Sequence, residues 1–269
     1  MFTKEDIINH NKICLYPEDN IPFYIKESNQ FPSIAAYLVE GSEKACVIMP
    51  GGGYFTLSEE NEGRKIAQEY NKKGVSAFVC FYRVRPHDGR SILLDAQKAM
   101  AFVRHNAKEF GIDKDKIFVC GFSAGAHLCM LLCEQDPLYE YDDLYSEDTH
   151  PNGCIMCYPV CTFENGVYPL MPKIFLGEKR NDPELLHKYS YSYAIEKMPC
   201  TYIMCTVHDV DVPPSKNTIA MAECLDLAGK DFYVQFVNDG RHGIGLGLEY
   251  PEFSTWFDKS FEYITKKLG

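Results

Sequence analysis

The segment GFSAG (121–125) places a serine between two glycines, in a position suited to nucleophilic chemistry. It matches the pattern G-x-S-x-G, follows the apolar run KIFVCGF (116–122), and opens an apolar helical pattern. A serine in a tight turn between a strand and a helix lies at the sheet edge, and the helix directs its first N–H groups toward it. The pattern therefore predicts that Ser123 is a nucleophile for acyl transfer.

A serine nucleophile needs a base, and the chain contains eight histidines. Where such a turn carries the nucleophile, the acid and then the histidine follow it in the chain, which excludes the first three histidines. His242 lies in the glycine-rich stretch NDGRHGIGLG, directly after the last predicted strand, and is predicted to be the base. His127 lies one turn along the helix after Ser123, and we expect it to pack against the sheet.

The base needs a carboxylate that orients its ring and stabilises its protonated form. The segment HDVDVPP (208–214) follows the predicted strand CTYIMCT (200–206) and offers two candidates, Asp209 and Asp211. Asp209 leaves the strand first and is preferred, with Asp211 as a turn or helix-capping residue. The chemistry of the residues alone leaves both open.

The loop PGGGY (50–54) follows the first strongly apolar segment. Glycines let backbone N–H groups approach a developing oxyanion without interference from side chains. We predict Gly52, Gly53 and Ala124, the residue after the nucleophile, as the oxyanion donors. The loop lacks the Gly-Lys-Ser/Thr ending of a phosphate-binding loop and the spaced glycines of a dinucleotide fingerprint, so phosphate binding is not expected.

Apolar strand-like segments alternate with helical patterns from residue 45 onward, which is typical of a parallel sheet covered by helices on both faces. We therefore predict an α/β fold, a three-layer sandwich with a mostly parallel central sheet. The site then lies at the carboxyl ends of the strands. The predicted strands are 45–50, 75–83, 116–122, 153–160, 200–206 and 231–237, and the predicted helices are 58–73, 91–109, 123–135, about 214 to 229, and 252–267.

The 269 residues, 46% of them hydrophobic, suffice for one large core, and we expect a single domain over 1–269. Two stretches within 136–199 interrupt the alternation. Residues 136–152 are acidic and rich in tyrosine, and residues 161–199 are rich in Pro, Gly and Tyr. Both are candidates for a small lid or insertion over the site, with ordinary solvated surface as the alternative.

A net charge of −11 without a basic stripe argues against a nucleic-acid partner, and the chain has no apolar run long enough for a membrane span. Twelve cysteines, without a recognisable signal peptide, predict a reducing, cytoplasmic location. The pair Cys154 and Cys157 lies in a predicted strand, where residues three apart point to opposite faces. We therefore expect no metal site, and the predicted chemistry requires no cofactor.

The motifs PGGGY, GFSAGAHL, D-x-x-V-P (209–213) and GRHGIGL together resemble the esterase/lipase branch of the α/β-hydrolases. The likeness covers residues 45–248, and it is to small acetyl-esterase or acetylxylan-esterase-like members, also described as sugar hydrolases. It implies the α/β-hydrolase fold, a triad of Ser123, Asp209 and His242, and the oxyanion donors named above. The chain departs from the pattern at Pro50, where histidine is frequent, and at Asp211, where an apolar residue is usual.

The resemblance further implies a serine esterase that hydrolyses short-chain, chiefly acetyl, esters through an acyl-enzyme. Its partner would be a small-molecule ester, with acetylated sugars among the candidates, and association into a homo-oligomer is left open. Three alternatives remain. They are an amidase of the kynurenine-formamidase type, a peptidase, and a binding protein that keeps the fold without catalysis.

Overall fold

A single eight-stranded sheet forms the centre of the protein, with the strand order β1-β2-β4-β3-β5-β6-β7-β8. The computed structural model describes residues 3–164 and 170–269. The strands are β1 (Ile13–Cys14), β2 (Ser33–Tyr37), β3 (Ala45–Met49), β4 (Ser76–Phe81), β5 (Ile117–Phe122), β6 (Gly153–Cys157), β7 (Cys200–Thr206) and β8 (Phe232–Val237). The described helices are α1 (Lys4–Ile8), α2 (Lys65–Lys72), α3 (Gly89–His105), α4 (Ala107–Phe110), α5 (Ala124–Glu134), α6 (Leu170–Leu176), α7 (Pro183–Lys188), α8 (Thr218–Leu227) and α9 (Trp256–Leu268).

The predicted three-layer α/β architecture is confirmed. Strands β3 to β8 run parallel, whereas β2 pairs antiparallel with both β1 and β4. One face of the sheet packs against α3, α5 and α8, and the other packs against α2 and α9. Strands β3 to β7 are buried on both faces, which explains their nearly continuous apolar sequences. This arrangement is the α/β-hydrolase fold.

Several predicted elements differ from the observed ones at their ends. The strand predicted at 75–83 ends at Phe81, because the backbone N–H and side chain of Arg83 turn toward the buried carboxylate of Asp95. The strand predicted at 153–160 ends at Cys157, because Tyr158 adopts a φ of 38°. The helix predicted at 58–73 begins as a π-helical turn, Glu60–Arg64, before α2. The short strands β1 and β2 were not predicted.

The cysteine pair of β6 is divided between the two faces of the sheet, as predicted. Cys154 belongs to the core beneath α5, and Cys157 belongs to the core on the opposite face. Within residues 3–164 and 170–269, no group of three or more His, Cys, Asp or Glu side chains is arranged to hold a metal ion. In the same residues, no helix combines the length and the apolar character that crossing a membrane requires.

The parallel register gathers the functional loops at one edge of the sheet. Met49 of β3 pairs with Gly121 of β5, and Phe122 pairs with Cys157 of β6. Further along, Thr206 of β7 pairs with Val237 of β8. The loops that follow these strands therefore begin side by side, which is the condition for assembling a site from distant parts of the chain.

Candidate active site

Ser123 stands between β5 and α5 in a strained backbone conformation, with φ 52° and ψ −116°. Non-glycine residues rarely adopt positive φ, and such strain persists only where the surrounding structure imposes it. Around this turn, α5 packs closely against the end of β3. A Cβ atom on Gly125 would lie 2.0 Å from the carbonyl oxygen of Met49, so only glycine allows this approach.

His242 joins the serine to a buried carboxylate. Its Nε2 lies 2.8 Å from the Oγ of Ser123, and its Nδ1 lies 2.7 Å from the Oδ2 of Asp209. The carboxylate of Asp209 is fully buried, whereas the imidazole keeps 15% of its surface exposed. Because a carboxylate only accepts hydrogen bonds, Nδ1–H donates to Asp209 and leaves Nε2 free to take the serine proton.

The second candidate acid, Asp211, lies outside this hydrogen-bonded chain. Its side chain is exposed, and its backbone N–H donates to the Oδ1 of Asp209 over 3.1 Å. The N–H of Val212 donates to the same oxygen over 2.8 Å. The turn after β7 thus fixes the Asp209 carboxylate, and the structure brings Asp209, not Asp211, to the histidine.

The glycine loop lies beside the serine. Gly52 and Gly53 line the same cleft, of about 350 Å³, as Ser123 and His242. Both glycines have positive φ, and within the described part of the chain their N–H groups donate to no acceptor. Ala124 is the first residue of α5, where N–H groups have no partner inside the helix. All three predicted donors therefore lie around Ser123 with their N–H groups unused.

A family model described as BD-FAE matches residues 37–223, which is more than half of the chain. The chain belongs to the BD-FAE family. An acetylxylan esterase of Xylanibacter ruminicola is 33% identical over 233 residues, which cover 85% of this chain and 45% of that protein. Endo-1,4-beta-xylanase B of Butyrivibrio fibrisolvens is 29% identical over 235 residues, which cover 84% of this chain and 36% of that protein.

This BD-FAE member thus spans less than half the length of these two curated relatives. Among solved structures, the acetyl ester-xyloside bifunctional hydrolase from Caldicellulosiruptor lactoaceticus matches it with a TM-score of 0.89. The identity is 29%, and the match covers 96% of each chain. The chain is a homologue of carboxylic ester hydrolases, and the predicted resemblance to acetylxylan-esterase-like proteins is confirmed.

His127, which the sequence predicted to pack against the sheet, is fully buried. Its ring packs against Tyr54 of the glycine loop and against the rings of Phe163 and Phe175. Its Nε2 donates to the carbonyl oxygen of Tyr189 over 2.9 Å, so Nδ1 accepts from the Tyr54 hydroxyl over 2.7 Å. His127 therefore connects the glycine loop, α5 and the segment that contains α6 and α7.

Two side chains of the BD-FAE site were not predicted, Glu62 and Tyr158. Glu62 lines the cleft from the π-helical turn, and Tyr158 contacts the edge of the His242 ring, with ring centroids 4.9 Å apart. Glu62 stands in an acidic stretch, EENEGR (59–64), in which nothing distinguishes it from its exposed neighbours. Tyr158 falls inside the predicted strand 153–160, so the sequence did not distinguish it from the core residues around it.

The two stretches proposed as a lid lie in different places. Residues 136–152 lie along α3, where Leu144 packs against Leu94 and Lys98 pairs with Asp142 over 2.7 Å. In the stretch 161–199, Met171 of α6 lines the cleft and is almost fully buried. Residues 165–169 of this stretch lie outside the described residues. Movement of either stretch stays a prediction.

The contacts of Asp209 and Asp211 lead to a first prediction. We expect Asp209→Asn to reduce hydrolysis of p-nitrophenyl acetate about 10⁴-fold, because the amide favours the wrong histidine tautomer. The matched change Asp211→Asn should alter the rate by less than about threefold, because that side chain is exposed. Steady-state kinetics of both variants decides the matter, and the reverse order of effects would contradict the assignment.

His127 yields a prediction on stability. Burial lowers the pKa of His127 from 6.5 to about 4. The folded state therefore resists protonation more than the unfolded state, and the stability this provides is complete above pH 6.5 and is lost as the pH falls toward 4. When the pH is lowered from about 7 to 4.5, the free energy of unfolding should fall in both proteins. The fall should be about 2 kcal/mol smaller in His127→Gln than in the parent, because glutamine takes up no proton.

Urea unfolding at the two pH values provides the measurement. The exposed His208 supplies a matched control, because among the described residues its side chain forms no hydrogen bond or ion pair, and His208→Gln should lose as much stability as the parent. Equal losses in the parent and in His127→Gln would show that the buried imidazole does not carry this pH dependence.

Proposed function

We propose that this BD-FAE family member is a serine esterase that hydrolyses short-chain acyl esters, chiefly acetyl esters, with sugars as the alcohol portion. The observation that carries the proposal is the continuous chain of hydrogen bonds from Asp209 through His242 to Ser123, which ends at a cleft beside unused backbone N–H groups. These groups supply a nucleophile, a base and an oxyanion hole, the three requirements of acyl transfer.

In the proposed reaction, the Oγ of Ser123 attacks the ester carbonyl carbon while Nε2 of His242 takes the serine proton. The N–H groups of Gly52, Gly53 and Ala124 stabilise the oxyanion of the tetrahedral intermediate. His242 then returns the proton to the leaving alcohol, and an acyl-enzyme remains. A water molecule, deprotonated by His242, attacks the acyl carbon, and the serine leaves with the proton as the acid is released.

The small cleft supports a short acyl group. Its volume of about 350 Å³ is near the lower end of the range for ligand pockets. Met171 lines it and is 1% exposed, and Tyr54 packs against Phe175 behind it. We propose that α6, through Leu170 and Met171, acts as a partial lid that limits the length of the acyl chain.

An aromatic ring at the cleft supports a sugar as the leaving group. Phe55 lines the cleft and remains 55% exposed, with the Arg85 guanidinium 5.3 Å from its ring centroid. An exposed ring beside a charged group suits an alcohol that has both apolar faces and hydroxyl groups. The xylan-related names of the relatives point in the same direction.

The twelve free cysteines support a reducing, cytoplasmic environment.

A substrate panel tests the proposal. With p-nitrophenyl esters, kcat/KM should fall as the acyl chain grows from acetyl to octanoyl, and acetylated sugars should release acetate. Ser123→Ala should lower turnover by at least about 10⁴-fold without unfolding the protein, whereas Ser215→Ala, which alters an exposed serine, should behave like the parent. Preference for long acyl esters, or for an N-formyl amide over acetyl esters, would overturn the proposed substrate class.

The wall formed by α6 gives a separate prediction. Met171→Ala should raise kcat/KM for butanoyl relative to acetyl esters by about tenfold, because the enclosed side chain no longer occupies the space needed by two more methylene groups. Leu170→Ala serves as the comparison. Leu170 lines the same cleft but is 47% exposed, so its removal opens less enclosed space and should change the ratio less. An unchanged ratio in Met171→Ala would contradict the assignment.

A further inference from the structure

Glu62 is a buried carboxylate inside the candidate active site. Its side chain belongs to the π-helical turn and is 2% exposed, whereas the adjacent Glu59 and Glu60 are exposed and pair with Lys12 and Arg64. Single π-helical turns are frequently found at functional sites. The extra residue also changes which side chain faces inward. The π-helical turn therefore separates Glu62 from its acidic neighbours and directs it to the cleft.

The hydrogen bonds of Glu62 fit its ionised form. Its Oε2 accepts the N–H of Gly51 over 2.9 Å, and its Oε1 accepts the hydroxyl of Tyr158 over 2.6 Å. The Tyr158 oxygen in turn accepts the N–H of Gly245 over 3.0 Å, so the phenolic proton is directed to Glu62. Both carboxylate oxygens thus act as acceptors, which is the role of a carboxylate without a proton.

These bonds connect the two loops that serve Ser123. Gly51 immediately precedes the predicted oxyanion donors, and Gly245 lies three residues after His242. The loop of His242 also packs directly on the π-helical turn, since a Cβ atom on Gly245 would lie 2.5 Å from the carbonyl oxygen of Asn61. The indole N–H of Trp256 holds the carbonyl of Gly245 over 3.1 Å. Glu62 therefore fixes the spacing between the oxyanion loop and the base.

The charge of Glu62 has no permanent partner. Among the described residues, no lysine or arginine forms an ion pair with it, and the titratable groups that face it are His242, Tyr158, Tyr82 and Cys157. Burial raises the pKa of Glu62, so the ionised form costs stability that a neutral side chain would not. The cation that can offset this cost is the imidazolium of His242, which in the proposed reaction forms when Ser123 gives up its proton.

We propose that Glu62 is a positioning residue that holds the oxyanion loop and the His242 loop at a fixed spacing, and that its negative charge stabilises the His242 imidazolium during acyl transfer. This inference rests on the proposed role of Ser123 but not on the identity of the ester. It differs from the role of Asp209, which contacts the imidazole directly.

The test is the rate at which a fluorophosphonate labels Ser123 between about pH 5 and pH 9 in Glu62→Gln. We expect labelling at least about tenfold slower than in the parent, because an amide cannot replace both accepted hydrogen bonds. We also expect the acidic limb of the rate profile to move to lower pH, because loss of a buried anion disfavours the imidazolium. The exposed Glu60 provides the control, and Glu60→Gln should leave rate and profile unchanged.

A folded Glu62→Gln that labels like the parent would overturn the proposal. Slower labelling with an unmoved acidic limb would overturn the electrostatic role and leave only a structural one. Thermal unfolding of each variant establishes that it is folded. Labelling needs only an activated serine. If the parent protein is labelled but releases no acetate, the proposed substrate class is wrong and the role of Glu62 is still tested. If the parent protein is not labelled, both proposals are wrong.

Tyr158→Phe keeps the test decisive if Glu62→Gln does not fold. It preserves the ring against His242 and removes only the hydroxyl between Glu62 and Gly245. We expect slower labelling in Tyr158→Phe whether or not Glu62→Gln folds. Where Glu62→Gln does fold, the effects of the two changes should be non-additive in the double variant, because the two groups act through one connection. Parent-like labelling in Tyr158→Phe, or additive effects, would contradict the proposed connection.

Discussion

Helix α5 begins so close to the end of β3 that a methyl group on Gly125 would lie 2.0 Å from the carbonyl oxygen of Met49. Ser123, in the turn that leads into this helix, has positive φ and lines the cleft beside Gly52 and Gly53. The close approach also brings the first N–H groups of α5 beside the glycine loop, which follows β3 directly. Nucleophile and oxyanion donors therefore share one origin, the contact between a helix terminus and the neighbouring strand.

Around this contact, two buried carboxylates stand on different sides of one imidazole. Asp209 contacts Nδ1 directly and is held by the N–H groups of the turn after β7. Glu62 reaches the same histidine through the ring and hydroxyl of Tyr158. The interior near His242 thus has a negative electrostatic character that suits a positive charge formed only transiently. In the proposed reaction, such an arrangement stabilises the transition state more than the ground state.

The residues that the sequence identified share one property, namely that each follows a buried parallel strand. Ser123, Asp209 and the glycine loop were predictable because strand ends in a parallel sheet converge. Glu62 was not, because its inward position depends on a π-helical turn that helical periodicity does not reveal. The strands β1 and β2 were missed because β1 has only two residues, and β2 is a five-residue segment with two alanines, a residue that is depleted in strands. The sequence therefore predicts long apolar strands and the loops that follow them, but it does not predict short strands or a π-helical turn.

The hydrogen bond from His127 to the carbonyl oxygen of Tyr189 has a consequence for how this fold can diversify. Leu170 and Met171 of α6 line the cleft, so replacement of the segment that contains α6 by one of another length would change the shape of the cleft. Any substitute must still offer a backbone acceptor to His127. Without one, the imidazole loses the partner that fixes its tautomer, and Tyr54 in the glycine loop loses its acceptor. Replacement of this segment during evolution is therefore constrained by one backbone carbonyl group, that of Tyr189.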